Sequence, residues 1–419
     1  MVLCGPPWHF AQHYLTPFWT YPTFYAAFVV GAILADEPLP AAAPPALAAA
    51  LAGGVLPCLE RLLRRAGEEQ HGPEADVWQA LGEQSGTRHL WTQLLAYGEP
   101  RQAAALVATL GKMLRQAGPA RAFGPSASGN PFAALCGFVL ESALGGTKEV
   151  EDAVAAQLWR LRMYAACEWL PELSRIMLKA MDAAGAPQEV PMYCTVLHWL
   201  TLVACRCGDG GAVAALEAGS SEDWRLLLTQ NVRAVPLLAA ALRRAEELHL
   251  QCVSPLVLSC CTVAVACPHE LRQAAGGPSA WWPEMLRRLV PRLRHRGLAA
   301  AVEALAELLR VWGADGGDGS GGEAKQAHER LLRAVAVVDV QVRRFAATLV
   351  PPVEARALLR TCSFRGCARL AGDSEAEARL QACARCGAAW YCCRECQVSH
   401  WREGHKEACT GPGDSGRPG

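Results

Sequence analysis

Three pieces of one short segment decide the architecture: Cys362-Ser363-Phe364-Arg365-Gly366-Cys367, then Cys383-Ala384-Arg385-Cys386, then Tyr391-Cys392-Cys393-Arg394-Glu395-Cys396-Gln397-Val398-Ser399-His400-Trp401-Arg402-Glu403-Gly404-His405-Lys406-Glu407-Ala408-Cys409. Cys362, Cys367, Cys383, Cys386, Cys392, Cys396, His405 and Cys409 are eight thiol or imidazole groups in four successive pairs. Eight such groups fill two tetrahedral zinc sites and leave no position open for water, so the sites are structural rather than catalytic. A segment this short cannot bury enough apolar surface to order itself, and metal must supply much of its folding energy. One C-x2-C pair alone would also fit redox chemistry; four pairs in a row point to metal. Cys393 is the odd thiol, read as a small, partly exposed residue with no metal role.

The pattern formed by these pairs with Tyr391-Cys392, Cys396-Gln397, Trp401, His405 and Cys409 resembles the MYND-type zinc finger. The resemblance implies interleaved ligands: Cys362, Cys367, Cys392 and Cys396 on one zinc, and Cys383, Cys386, His405 and Cys409 on the other. Spacing alone also allows the sequential arrangement, with the first four ligands on one ion. One departure is visible. Three residues separate Trp401 and His405, where two are more usual in such fingers, and one extra residue rotates the later part of a helix by about 100°.

A helix is predicted from Arg394 to Glu407, with Gln397 and Trp401 at i and i+4 on one face. The resemblance implies that these two residues line a shallow groove for proline-containing peptides. An aromatic face beside an amide suits an extended chain with bare carbonyls. Tyr391 reads as packing, Trp390 as extra apolar surface, and His400 as a surface residue.

The rest of the chain is of another kind. Over 419 residues, 52% are hydrophobic and 19% charged, which describes a globular protein with a large core. Forty basic residues balance 40 acidic ones, so nothing favours general binding to nucleic acid or anionic membranes. The basic run Arg287, Arg288, Arg292, Arg294 and Arg296 alternates with Leu286, Leu289, Val290 and Leu293, an amphipathic helix with a solvated face and a kink at Pro291. Of the 19 cysteines, those outside the finger, such as Cys136, Cys167, Cys194 and Cys252, are scattered among apolar positions. They read as small core residues in a reducing compartment, nuclear or cytoplasmic.

From Leu15 to Ala35 the chain is uncharged and apolar. No Lys or Arg precedes it, and Pro17 and Pro22 interrupt it, so an N-terminal extension is expected rather than a membrane span or secretory signal.

Residues 36–350 read as helix after helix, with stripes such as Val55-Leu56-Leu59-Leu62-Leu63, Leu106-Leu110-Met113-Leu114, Val150-Val154-Leu158-Leu161 and Val302-Leu305-Leu309. Pro171 sits where a first helical turn would place it, ahead of Leu173, Ile176, Met177, Ala180 and Met181. The piece from Ala48 to Leu63 resembles two helices of an armadillo-type repeat, although no clean period recurs. The fold class expected is mainly α: an irregular α-solenoid of armadillo-like helical hairpins, followed by the small two-zinc finger. The expected divisions are an apolar extension (1–35), a helical repeat-like domain (36–312), a flexible Gly-rich linker (313–322), a last helical segment (323–359), the finger (360–410) and a disordered tail (411–419). Gly118–Pro131 reads as a loop. The linker and Pro351-Pro352 predict a finger separable from the helices.

Function divides into two readings. The first is a zinc-binding adaptor without catalysis, whose finger captures Pro/Leu-containing segments of partner proteins. The second is a SET-MYND-like lysine methyltransferase, but the segments such an enzyme needs are missing, and Gly67-Glu68-Glu69 is only a fragment of one. No phosphate-binding glycine loop or nucleophile elbow is present, and His198 and Glu168 read as ordinary surface or core residues. A nucleic-acid-associated regulator is a further alternative, weakened by the neutral charge.

Overall fold

The computed structural model describes residues 39–69, 72–77, 87–118, 153–182, 190–208, 218–275, 277, 279–293, 296–314, 322–338 and 340–410. The expected extension 1–35, residues 119–131 of the loop, residues 315–321 of the linker, the tail 411–419, Cys136, Val150 and Arg294 lie outside them. The described residues are mostly helical. Their only strands are β1 (Gln381–Ala382) and β2 (Trp390–Tyr391), an antiparallel pair in the finger with Gln381 opposite Tyr391 and Ala382 opposite Trp390.

The first helices are α1 (Pro45–Ala52) and α2 (Val55–Glu68), separated by Gly53-Gly54. Gly54 has φ 80°, a left-handed conformation that an L side chain resists, so the glycine makes the sharp turn. Leu56, Leu59, Leu62 and Leu63 of α2 are all buried, as their spacing predicts. After α3 (Thr87–Tyr97), α4 (Pro100–Gln116) starts with Pro100 in its first turn, and the Glu99 carboxylate accepts from the Arg101 and Gln102 N–H groups at 3.0 and 2.7 Å. Such a cap satisfies donors that have no partner within the helix.

α5 (Ala153–Asp182) is one continuous helix through Pro171, not two. A proline inside a helix costs about 3 kcal/mol. Here Trp169, Leu170, Leu173, Ile176 and Met177 are fully buried around it, and their packing offsets that cost. α6 (Val190–Gly208), α7 (Ala218–Leu226), α8 (Ala234–Arg243), α9 (Leu250–Ala266) and α10 (Pro268–Ala274) come next. α9 also carries an interior proline, Pro255, which leaves the Gln251 carbonyl without its helical donor; the Cys194 thiol points at it from α6.

The basic run beyond is not one kinked helix. α11 (Pro283–Arg287) stops, and a short 3-10 turn spans Val290–Arg292 before the chain extends. Pro291 removes an N–H that a helix would use. Arg287 and Arg288 are exposed and pair with Glu303 and Glu246, but the Arg292 guanidinium donates to the Ala245 and Leu248 carbonyls just beyond α8. α12 (Arg296–Ala314), α13 (Gly322–Val338), α14 (Val340–Ala347) and α15 (Pro352–Arg356) complete the helices of the body.

Two series of helix contacts run through the described residues. In one, α4 packs on α5, α5 on α8 and α8 on α11; in the other, α6 packs on α9, α9 on α12 and α12 on α13. Buried polar groups bridge successive members. The Trp169 indole donates to the Val107 carbonyl 62 residues earlier at 2.9 Å, and the Ser259 hydroxyl to the Leu197 carbonyl, also 62 residues earlier, at 2.6 Å. The Trp281 indole, just before α11, donates to the Val235 carbonyl 46 residues earlier. α14 and α15 then turn back, α14 onto α6 and α15 onto α5 and α7. One apolar core runs from Leu47 to Leu370 and includes Ala324, Ala327, Leu331 and Val335, so it crosses the expected linker, of which Gly313 already belongs to α12 and Gly322 to α13. No single helix among the described residues is long and apolar enough to cross a membrane.

Candidate metal centre

The finger has almost no apolar interior. Its buried residues are Cys362, Cys367, Cys383, Cys396, Cys409, Ala389 and Tyr391, so sulfur takes the place that Leu and Val hold in the helical body. The first knuckle ends in a turn in which the Cys367 N–H donates to the Phe364 carbonyl at 2.9 Å. In the second, the Gly387 N–H donates to the Cys383 carbonyl at 2.8 Å, and Gly387 has φ 66°, which lets the chain double back behind Cys386. The first knuckle is fastened to β2: the Ser363 N–H donates to the Trp390 carbonyl at 2.7 Å and the Trp390 N–H to the Ser363 hydroxyl at 2.8 Å. Ser363 thereby occupies Trp390's backbone groups on the outer edge of β2. The Arg360 guanidinium lies over the Trp390 indole, 4.1 Å from the ring centre, so Trp390 packs against a cation.

Fastening the first knuckle to the hairpin interleaves the ligands. Cys362, Cys367, Cys392 and Cys396 come together in one cluster, and Cys383, Cys386, His405 and Cys409 in the other, with the ligand atoms of each within 4.8 Å of one another. The sequential arrangement does not occur. A tetrahedral zinc with bonds of about 2.3 Å to sulfur sets its ligand atoms about 3.8 Å apart. The observed separations are 3.6 Å for Cys367–Cys392, 3.7 Å for Cys392–Cys396, 3.8 Å for Cys383–Cys409 and 3.7 Å from the Cys386 sulfur to His405 Nε2. Donor type and spacing both fit zinc. Without a cation, four sulfurs this close cannot all be thiolates: burial pushes the Cys396 and Cys392 thiols up, and the hydrogen bond to Cys367 does so for Cys362. Cys393 stands beside Cys392 at 3.9 Å but belongs to neither cluster.

The C-terminal ligands lie on a helix of composite form. α16 (Arg394–His400) is regular, and a π-type turn continues it over Trp401–His405, with Gly404 at φ 122°. A single extra residue in a helix is absorbed as such a turn. This is where the additional residue between Trp401 and His405 goes, and Gly404 supplies the backbone conformation that brings His405 back onto Cys386. The short α17 (Lys406–Ala408) then delivers Cys409. The predicted helix Arg394–Glu407 is thus interrupted in its second half.

His400 is not a surface residue. It is half-buried and stacks on the His405 ring with centres 4.7 Å apart, and its Nδ1 shares a 3.1 Å hydrogen bond with the Tyr391 hydroxyl. Burial, with the thiols nearby, pushes the Tyr391 phenol up to about 12, so it remains a donor; burial and His405 hold His400 below its ordinary value, so its ring is neutral near pH 7. His400 by stacking and Tyr391 edge-on, with ring centres 6.2 Å apart, pack against the ligand ring of His405. The tyrosine was legible as packing; nothing in the linear pattern singled out His400.

Gln397 and Trp401 share a face of α16, and the Trp401 N–H donates to the Gln397 carbonyl. Both are half-buried, Trp401 packs with its inner side on the cysteine cluster, and the neighbouring Val398 is exposed. Elsewhere, Cys167 and Cys261 are fully buried, which pushes their thiols up to about 12 and leaves them inert. Among the described residues no further group of this kind could hold a metal.

Neither the curated proteins nor the solved structures contain a match to the chain. The family model of the MYND finger matches residues 365–409. Cys362 precedes the matched stretch, and it is geometry that adds it to the first cluster. Residues 365–409 of this mainly helical chain are a MYND finger, and fingers of this family are zinc-binding protein-protein interaction modules.

Proposed function

We propose that this protein is an adaptor whose finger captures extended Pro/Leu-containing segments of partner proteins along Gln397, Val398 and Trp401. The observation that carries the reading is the combination of closed metal clusters with a half-open indole and amide on one helix face. Four protein ligands per ion leave no coordination position for a substrate. The zinc, when bound, supplies folding energy and geometry. Trp401 offers an apolar platform, Gln397 a donor and acceptor for peptide backbone, and Val398 an apolar rim. The chain has no catalytic role in this reading, and its balanced charge gives no reason to invoke nucleic acid or a membrane.

The helical body is read as an irregular solenoid of stacked hairpins, armadillo-like in kind, that presents a second extended surface. The two series of helix contacts and the bridges about 60 residues apart support this. Two modules on one chain raise avidity through effective concentration. Many free thiols suit a nuclear or cytoplasmic setting. The test is an unbiased peptide-display screen against the zinc-loaded protein. Enrichment of Pro/Leu-containing sequences whose binding is lost in Trp401→Ala supports the adaptor; enrichment that ignores both Gln397 and Trp401 removes this face from the account.

A further inference from the structure

Between the first and second knuckles the chain makes a long excursion, residues 368–382, and its first part leaves the finger to lie on the helical body. Leu370 is 3% exposed and belongs to the core of the body, not to that of the finger. It fills a notch over Gly67 of α2, where a Cβ would stand 2.4 Å from Leu370 Cδ1, with Met113 of α4 beside it. The glycine of Gly67-Glu68-Glu69 therefore has a packing reason for being there.

The main chain of the excursion is read by donors from the body. Gln116 and Lys112 donate to the Ala368 and Arg369 carbonyls at 2.8 and 3.0 Å. Arg64 donates to the Ala371 and Gly372 carbonyls, both at 2.8 Å, and Arg101 to the Ala376 carbonyl at 2.8 Å. Going from Ala368 to Ala376, the partners on α4 go from Gln116 back to Arg101, so the segment runs antiparallel to that helix. Near its far end the Glu375 carboxylate is buried between Arg64 Nη1 and Lys112 Nζ, each at 2.6 Å. The Ser374 hydroxyl and the Glu375 N–H both donate to the Glu60 carboxylate, which also accepts from Thr109. Glu60, Arg64, Lys112 and Glu375 are all at least 96% buried, and their charges balance. Take the segment away and two cations and one carboxylate stay behind in a closed face with a net positive charge.

We infer that the α2–α4 face is a built receptor for an acidic peptide bent at a glycine, and that residues 368–376 of the finger, with Gly372 at φ 92°, are its ligand, bound in cis. Recognition has the parts of peptide binding: an apolar anchor (Leu370), a row of donors to main-chain carbonyls, and one buried carboxylate that selects glutamate with a serine before it. Fixed groups on two helices read the peptide, and most of them sit where water is excluded, so a segment lacking the carboxylate would leave Arg64 and Lys112 with Glu60 alone, 3.7 Å from Arg64, to balance two buried cations. The finger is thereby held on the body, independently of what its Gln397–Trp401 face binds. A partner segment with Leu and Ser-Glu at the same spacing would compete for the same face.

The experiment uses full-length zinc-loaded protein carrying Glu375→Ala, with hydrogen exchange measured over α2 and α4. The expected result is that two zinc ions remain while exchange in both helices rises about tenfold or more, as local opening becomes easier. A synthetic peptide of residues 368–377 at millimolar concentration, on the scale of the effective concentration of a short tether, then restores protection. The same peptide with Leu370→Ala and Glu375→Ala does not. Unchanged exchange in the variant, or a peptide without effect, overturns the proposal. Should Glu375→Ala unfold the body, the double variant Arg101→Ala, Gln116→Ala serves instead, because both residues lie on the exposed rim and touch only the ends of the segment. It is expected to speed exchange and proteolysis of residues 368–379 with zinc retained; no change in either would be decisive against a bound ligand.

Discussion

The finger and the helical body reach order by opposite means. In the body, fully buried Trp169, Trp199, Trp224, Tyr164 and Tyr193 stand among many buried leucines, and the hydrophobic effect suffices. The finger's buried set is mostly cysteine, and what it lacks in apolar area the metal must supply. The join between them obeys neither rule: it is a neutral cluster of buried charges around Glu375, with one leucine beside it. Stability from area is spread over many residues, stability from metal depends on eight, and the join depends on about half a dozen. Each region should therefore fail in its own way.

The largest effect should come from metal removal. Structural zinc contributes about 10–16 kcal/mol to finger peptides. Chelation is expected to unfold residues 360–410 while the far-ultraviolet signal of the body stays largely helical. The join makes a further demand, because the segment 368–376 starts at the ligand Cys367, whose carbonyl accepts from Arg115 at 2.9 Å. Hydrogen exchange should quicken in α2 and α4 on chelation and stay slow in α9 and α12. Uniform loss of protection would erase the contrast between the regions.

Next comes Leu370→Ala. Truncating a buried leucine costs about 2–5 kcal/mol, and here the loss falls on docking alone. Zinc content by elemental analysis should stay at two while protease cleavage after Arg369 and Arg379 accelerates. Loss of zinc together with docking would mean that the finger cannot stand without the body. Trp401→Ala is smaller, about 2 kcal/mol or thirtyfold in affinity for a selected peptide, with both ions kept. If zinc and binding vanish together, Trp401 is part of the fold rather than of the recognition surface. Smallest is Gly404→Ala. Open space surrounds the position where its Cβ would stand, so the cost is the backbone conformation alone, about 1–2 kcal/mol. It should weaken the His405 cluster in a competition with a metal indicator and leave the other cluster unchanged.

The two regions were unequally legible. Metal ligands are read by residue type and spacing, and all eight positions stand in the two clusters the resemblance implied. Helix content reflects local periodicity, and Leu56, Leu59, Leu62 and Leu63 of α2 and the whole α4 stripe are buried where the pattern put them. Helix ends were harder. Pro171 signals a first turn locally, yet the packing of Trp169 and Ile176 carries the helix through it. Pro291 read as a kink, yet the chain leaves the helix there and Arg292 finds two carbonyls. The extra residue before His405 was visible, but its consequence, a π-type turn closed by Gly404, needed the backbone. The join was illegible. Asp373-Ser374-Glu375-Ala376-Glu377 carries no periodicity or ligand spacing, and the partners of Glu375 lie more than 250 residues away in sequence. Long-range pairing of charges leaves no periodic trace.

The most direct test of the account concerns which ligands share an ion. Zinc can be replaced by an NMR-active cadmium isotope, whose coupling to cysteine β-protons identifies the ligands of each metal. Two cadmium resonances are expected, one correlated with Cys362, Cys367, Cys392 and Cys396, the other with Cys383, Cys386, Cys409 and the His405 ring. A single resonance, or Cys362 and Cys367 sharing a metal with Cys383 and Cys386, would contradict the interleaved finger on which the rest of the account stands.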